Sequence, residues 1–241
     1  MSLVETCLES IDSSNDEANY EPSHYTYNDA LYFANKLDSR IGYRFVKRTF
    51  DIAFSLSVII LFSWVYAITA IAIKIDDPSG KVIFVQNRVG ENKKLFKMYK
   101  FRSMYADAEE RLSSLTHLNE KDGPVFKIKD DPRITKVGKF IRKTSIDELP
   151  QFFNVLLGDM SIVGPRPALP KEVNQYTVYQ NSRLLVKPGI TCFWQATPNR
   201  DDVSFDDWVT MDIDYIRHCS VSTDVKLIVR TIGVVLTSQG N

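Results

Sequence analysis

The stretch Arg142-Lys-Thr-Ser-Ile-Asp-Glu-Leu-Pro-Gln151 sets two adjacent carboxylates, Asp147 and Glu148, between a basic run and a proline. Ser145 followed three residues later by Glu148 is the pattern of a capping box, and Asp147 then falls in the first helical turn, where the helix dipole favours an anion. The same geometry serves chemistry. A carboxylate held rigid and ionised at a helix N-terminus can attack phosphorus to form an acyl phosphate, while its neighbour helps ligate a hard divalent cation such as Mg²⁺ together with substrate phosphates. Both readings stand on these residues alone.

A second stretch, Gly158-Asp-Met-Ser-Ile-Val-Gly-Pro-Arg-Pro167, ends the expected helix at Gly158 and stiffens the backbone on both sides of Arg166. A guanidinium presented with so little freedom suits a phosphate or a carboxylate, or else a structural ion pair. Lys97-Met-Tyr-Lys-Phe-Arg102 and Lys187-Pro-Gly-Ile-Thr191 are further candidates. Taken singly, Lys100 and Arg102 also read as a solvated edge, Lys187 as a snorkelling side chain, and Asp212 as an ordinary helix carboxylate.

Thirty basic and thirty acidic residues cancel to a formal net charge of zero, so no global field gathers nucleic acid, and charge recognition must be local. The three cysteines, Cys7, Cys192 and Cys219, and the three histidines, His24, His117 and His218, are scattered without metal-ligand, disulfide or triad spacing. Carboxylates and cations remain as the chemical groups.

Three regions must position them. Residues 1–40 form a polar, acidic lead without apolar periodicity or a secretory signal pattern, expected to be poorly ordered apart from a short helix around Asn28 to Leu37. Residues 44–75 hold a membrane-embedded helix: Ala53 to Ile73 is an uncharged run of 21 residues, and at ~1.5 Å per residue it matches the ~30 Å hydrocarbon core of a bilayer. Basic residues flank it on both sides, Arg44, Lys47 and Arg48 before and Lys74, Lys81 and Arg88 after, which favours a segment that dips in and returns. Residues 76–241 read as a polar globular domain. It opens with a hairpin of Lys81–Gln86 and Leu95–Phe101, followed by helices over Ala106–Leu118, Ser145–Leu157, Phe205–Arg217 and Asp224–Leu236. The last has a broad apolar face that suits either a membrane surface or the core.

The apolar segment after Lys47-Arg-Thr-Phe-Asp51, then Phe84-Val-Gln-Asn-Arg-Val-Gly90, Tyr99-Lys-Phe-Arg-Ser-Met104, Ser145-Ile-Asp-Glu-Leu-Pro-Gln151, Asn154 through Gly164-Pro-Arg-Pro167, and Lys187-Pro-Gly-Ile-Thr191 occur in that order. This series resembles the bacterial sugar transferase family, the monotopic phosphoglycosyl transferases, from about Arg44 to Val235. The resemblance implies a mainly helical α+β fold: a re-entrant N-terminal membrane helix, and a cytosolic catalytic domain with a small β-hairpin and interfacial amphipathic helices. It also implies a ping-pong enzyme at the bacterial inner membrane with that domain facing the cytoplasm. Asp147 would attack the β-phosphate of a UDP-sugar and release UMP, and undecaprenyl (polyprenyl) phosphate would then take the phosphosugar, the first membrane step of exopolysaccharide or capsule synthesis.

By the same resemblance Glu148 would hold Mg²⁺, and Lys100, Arg142, Arg166 and Asp212 would bind the nucleotide sugar and its phosphates. A homodimer or polysaccharide assembly proteins would be the protein partners. One departure is Ser63-Trp64, where the family commonly has a Ser-Pro pair that breaks the membrane helix. The polar lead suggests a minimal form without additional spans. A catalytically silent membrane scaffold and a Mg²⁺-dependent hydrolase are the competing readings. Hexose choice rests on pocket shape and has no readable motif.

Overall fold

A computed structural model describes residues 25–119, 123–125, 128, 130–197 and 203–236. Residues 1–24 of the acidic lead lie outside the described residues. Its short helix is α1, Tyr27–Ser39, opened by Thr26, whose side chain accepts from Asp29 N while the Asp29 carboxylate accepts from Thr26 N. Ala30 and Ala34 are buried, and Tyr25 donates to Asp214 Oδ1 at 2.8 Å. Residues 25–39 therefore pack into the domain rather than standing apart from it.

The apolar run does not form one helix. It divides between α2, Ile41–Leu61, and α3, Ser63–Asp76, which meet at Phe62 with a bend of 60°. No proline is present. Packing accounts for the bend, because both arms close on the domain: Phe54 tilts onto Phe152, and Tyr66 lies against Phe101 and Phe153 and donates to Leu149 O. Among the described residues no single helix is long and apolar enough to cross a membrane, but the bent pair reaches that length and composition together. Its outer face is apolar and open, with Ile60, Leu61, Trp64, Ile68, Ile71 and Ile75 all exposed.

Strands β1, Ile83–Val89, and β2, Leu95–Phe101, form the expected antiparallel hairpin in the register Ile83↔Phe101 to Val89↔Leu95. The first strand begins two residues later than predicted and runs through Arg88. Buried Asn154 links this hairpin to the helix behind it, accepting from Tyr99 N and donating to Lys97 O.

Two predicted helices take other forms. Ala106–Leu118 is a turn followed by a 3₁₀ segment over Glu110–Leu118, where the Ser113 and Ser114 hydroxyls bond carbonyls three residues back and favour the tighter winding. Ser145–Leu157 is broken. After α4, Lys136–Lys143, Ser145 is left-handed at φ 55°, Ile146–Glu148 makes one 3₁₀ turn, and α5, Gln151–Leu157, starts only after Pro150. Proline lacks the N–H that a continuous helix needs, and it fits at a helix start.

Beyond Gly158, which ends α5 at φ 90°, β3 (Ser161–Val163) pairs in parallel with β4 (Gly189–Thr191). Between them lie α6, Pro170–Val173, and a 3₁₀ segment, Gln180–Leu185. Gly164 and Gly189 face each other so closely that a Cβ on either would collide with the other strand's backbone. The main core gathers Met160, Ile162, Val163, Trp194 and Phe205 with residues of α7, Phe205–His218, and α8, Val221–Leu236.

Candidate active site

The 3₁₀ turn Ile146–Glu148 brings Glu148 into the lining of a cleft of about 230 Å³ and leaves Asp147 buried next to it in sequence. Three cations, Arg88, Lys100 and Arg166, and one carboxylate, Glu148, line the cleft, with the amides of Gln151 and Gln195 beside them. Positive charge therefore exceeds negative by two among these side chains, a match for a phosphate or diphosphate.

The capping-box reading of Ser145 is overturned, because its left-handed backbone leaves no hydrogen bond from its side chain to the turn. Glu148 instead turns to β2, where Lys100 Nζ meets its Oε1 at 2.7 Å. Asp147 does not line the cleft and is only 7% exposed. Burial, rather than a helix dipole, dominates its electrostatics and pushes its pKa up to about 6; Lys100 and Arg142 pull it down and Glu148 pushes it up. The cations thus offset part of the penalty that burial places on the ionised carboxylate.

Arg142, on α4, donates from Nε to Ser103 Oγ at 3.0 Å and adds to the field at Asp147 without lining the cleft. Arg166 does line it. Its guanidinium lies 5.9 Å above the Trp194 ring, and that indole stacks at 4.0 Å on Trp208. Asp212 lies elsewhere: it is 1% exposed, on the inner face of α7, and Arg183 Nη2 meets it at 2.7 Å. Burial pushes the Asp212 carboxyl up to about 6, with Arg183 opposing. Arg183 in turn sits 4.6 Å over Trp208, and its Nη2 reaches the Arg166 carbonyl at 3.4 Å. Asp212 therefore supports the arginine-bearing loop from below and does not line the cleft.

Arg88, which is not among the candidates read from the sequence, also lines the cleft. Its Nε and Nη2 donate to Gln86 Oε1 and its Nη1 to Pro167 O at 2.9 Å, tying the hairpin to the Gly-Pro-Arg-Pro loop; burial and then Arg166 push its pKa down to about 10. Its place in Phe84-Val-Gln-Asn-Arg-Val-Gly90, on the strand that pairs with the one bearing Lys100, was the available signal. Lys187 is exposed and does not line the cleft; its segment contributes through Gly189, whose N–H donates to Pro165 O.

Among the described residues no group of three or more His, Cys, Asp or Glu stands ready to hold a metal. Mg²⁺ typically takes only one or two carboxylates and completes its shell with water and substrate phosphates, so Glu148, the carboxylate that lines the cleft, is the residue that would hold an ion arriving with a diphosphate.

The Asp147–Glu148 turn thus stands beside a cleft lined by three cations, on a mainly helical domain against which a bent apolar helix pair packs. The chain belongs to the bacterial sugar transferase family, which it matches over residues 42–238. It is 52% identical over 161 residues to the galactosyl transferase CpsE of Streptococcus agalactiae serotype III, covering 67% of this chain and 36% of that one. Against the undecaprenyl-phosphate galactose phosphotransferase of Salmonella typhimurium, identity is 43% over 219 residues, 87% of this chain and 44% of the relative. The exopolysaccharide production protein ExoY of Rhizobium meliloti is 35% identical over 199 residues, 81% of this chain and 87% of ExoY. The chain thus spans less than half the length of the first two relatives and matches most of the third.

Proposed function

We propose that this chain transfers a sugar 1-phosphate from a UDP-sugar to polyprenyl phosphate at the bacterial inner membrane, as a first membrane step of exopolysaccharide or capsule synthesis. One observation carries the reading: the Asp147–Glu148 turn opens beside a cleft lined by Arg88, Lys100 and Arg166, in a member of a family whose relatives are named for this transfer.

An Asp147 carboxylate oxygen attacks the β-phosphorus, the bond from that phosphorus to the bridging oxygen breaks, and UMP leaves with the electron pair. An oxygen of the lipid phosphate then attacks the same phosphorus and the aspartate departs unchanged. Lys100 and Arg142 keep the buried carboxylate ionised, and Arg166, stiffened by its two prolines, clamps the nucleotide phosphates. Glu148 would hold Mg²⁺, which when bound neutralises charge on the departing nucleotide.

The bent pair α2–α3 is read as a re-entrant anchor that keeps both flanks on the cytoplasmic side. The exposed face of α8, Val221, Val225, Val229 and Ile232, is read as lying on the same surface. The acceptor phosphate sits at the headgroup level, so anchoring brings the site to it.

The test is UMP release from UDP-galactose by the full chain in membranes containing undecaprenyl phosphate, with Mg²⁺ added or chelated. A phosphosugar adduct on the protein and its loss in Asp147→Asn are expected. Wild-type turnover in that variant would remove the nucleophile from Asp147; free sugar phosphate without lipid product would mean a hydrolase. Absence of UMP release from every UDP-sugar tried would point to a scaffold.

A further inference from the structure

The first turns of α2 carry charges that a membrane anchor alone does not need. Lys47, Arg48 and Asp51 reach inward, each to a different part of the domain. Lys47 Nζ meets Asp224 on α8 at 2.9 Å. Arg48 donates from Nη1 to Val155 O at 2.6 Å and from Nη2 to Leu156 O at 2.9 Å, two carbonyls of the last turn of α5, the first of which also accepts from Gly158 N. Asp51 is 4% exposed, and its Oδ1 accepts from Ser161 Oγ at 3.1 Å and from Ile162 N at 3.0 Å.

These contacts fall at meaningful places. Helix α5 begins three residues after Glu148, and β3 ends three residues before Arg166. The segment from α5 to β3 is thus the covalent link between the carboxylate turn and the arginine loop, and α2 holds it at the end of α5 and again at β3. Burying a carboxylate is costly unless it is hydrogen-bonded, so Asp51, the one acidic residue of α2, needs a purpose. Its two bonds supply one: Ser161 and Ile162 belong to the strand that runs directly into Gly164-Pro-Arg-Pro167.

We infer that Asp51 is a positioning residue for the active site: its Oδ1 fixes β3, and with it Arg166, relative to the Asp147–Glu148 turn. The bent helix pair then sets the geometry of the site as well as its attachment to the membrane. The kinetic arm of the test rests on the phosphotransfer reading above; the exchange arm does not.

The distinguishing variants are Asp51→Asn, which keeps an Oδ1 acceptor, and Asp51→Ala, which removes it. Both are made in the full chain in lipid nanodiscs. Hydrogen exchange at the Ile162 amide should accelerate at least about tenfold in Asp51→Ala and stay near wild type in Asp51→Asn. The KM for UDP-galactose should rise about tenfold in Asp51→Ala and by less than about threefold in Asp51→Asn, because a displaced Arg166 weakens nucleotide capture. A merely structural role would lower the folded fraction, and so kcat, at unchanged KM. That result, unaltered Ile162 exchange in Asp51→Ala, or equal impairment by Asn and Ala, would overturn the inference. If Asp51→Ala does not fold, Ser161→Ala replaces it, removing one of the two donors, and a KM at the wild-type value would then refute it. If the wild-type chain releases no UMP, the functional reading fails on its own, while exchange across residues 162–166 still decides whether Asp51 holds the segment.

Discussion

Lys100 Nζ stands 2.7 Å from Glu148 Oε1, joining the second strand of the hairpin to the turn that carries Asp147. The pair is partly buried, with side-chain exposures of 18% and 22%, so the contact is shielded more than a surface ion pair. It does two things at once: it orients Glu148 at the cleft, and it brings a cation into the field that decides the charge of Asp147.

The acid limb of the reaction should therefore report Asp147. Because burial pushes its pKa up to about 6, kcat/KM for a UDP-sugar should fall about tenfold per pH unit below roughly pH 6. Lys100 opposes that rise, so Lys100→Met should move the limb to higher pH while lowering the plateau. A pH profile of initial UMP release checks both; a limb near the ordinary carboxylate range in both proteins would exclude Asp147 as the titrating group.

The same shift makes the ionised aspartate a cost to the fold. Its folded pKa of about 6 lies above the ordinary 3.8, so the penalty is absent below about pH 4, grows between pH 4 and 6, and is full above that. Asp147→Asn should accordingly raise stability at pH 8 by up to about 3 kcal/mol, taking 1.36 kcal/mol per unit over about two units. The gain should vanish near pH 4. Denaturant melts at the two pH values would show it, and a variant less stable than wild type at pH 8 would contradict it.

Which features were legible from sequence follows the range of the forces involved. The hairpin, α7 and the order of the motifs were readable because period, caps and turn residues act locally. Ser145 deceived because a capping box needs an extended N-cap backbone, and Pro150 moved the true helix start five residues on, leaving Ser145 left-handed. Lys47 and Arg48 read as a basic flank of the apolar run, and long-range packing turns both inward onto the domain. Motif order carries no depth, so the burial of Asp212 against Arg183 is visible only in the fold. The break at Phe62 had no proline to announce it, since tertiary contacts of Phe54 and Tyr66 produce it.

The close pairing of β3 with β4 accounts for Gly164 and Gly189. A Cβ on Gly189 would overlap the Gly164 backbone nitrogen, and one on Gly164 would overlap the Lys187 carbonyl. Backbone on both sides leaves nothing that can rotate away. Gly189→Ala should cost about 3 kcal/mol, the upper end for overpacking, and should disturb the cleft because Gly189 N donates to Pro165 O beside Arg166. Thermal unfolding of the variant tests this, and a loss under about 1 kcal/mol would mean that the strands separate easily.

The Arg183–Asp212 pair separates support from catalysis. Both side chains are almost fully buried, at 2% and 1% exposure, so removing one partner leaves the other charge stranded in the core. Asp212→Asn should cost about 3–5 kcal/mol, and Arg183→Met a similar amount. Replacing both, as Arg183→Met with Asp212→Leu, removes the stranded charge, and burial of apolar groups in place of an ion pair should recover most of that loss. Activity should not recover with it. Arg183 also reaches the Arg166 carbonyl and lies on the Trp208 ring beneath Trp194, so the double variant should fold while capturing the nucleotide sugar more weakly, with KM raised about tenfold. Full recovery of KM along with stability would mean that the Trp194–Trp208 stack alone holds Arg166. A double variant no more stable than either single one would mean that the ion pair fixes the packing of α7.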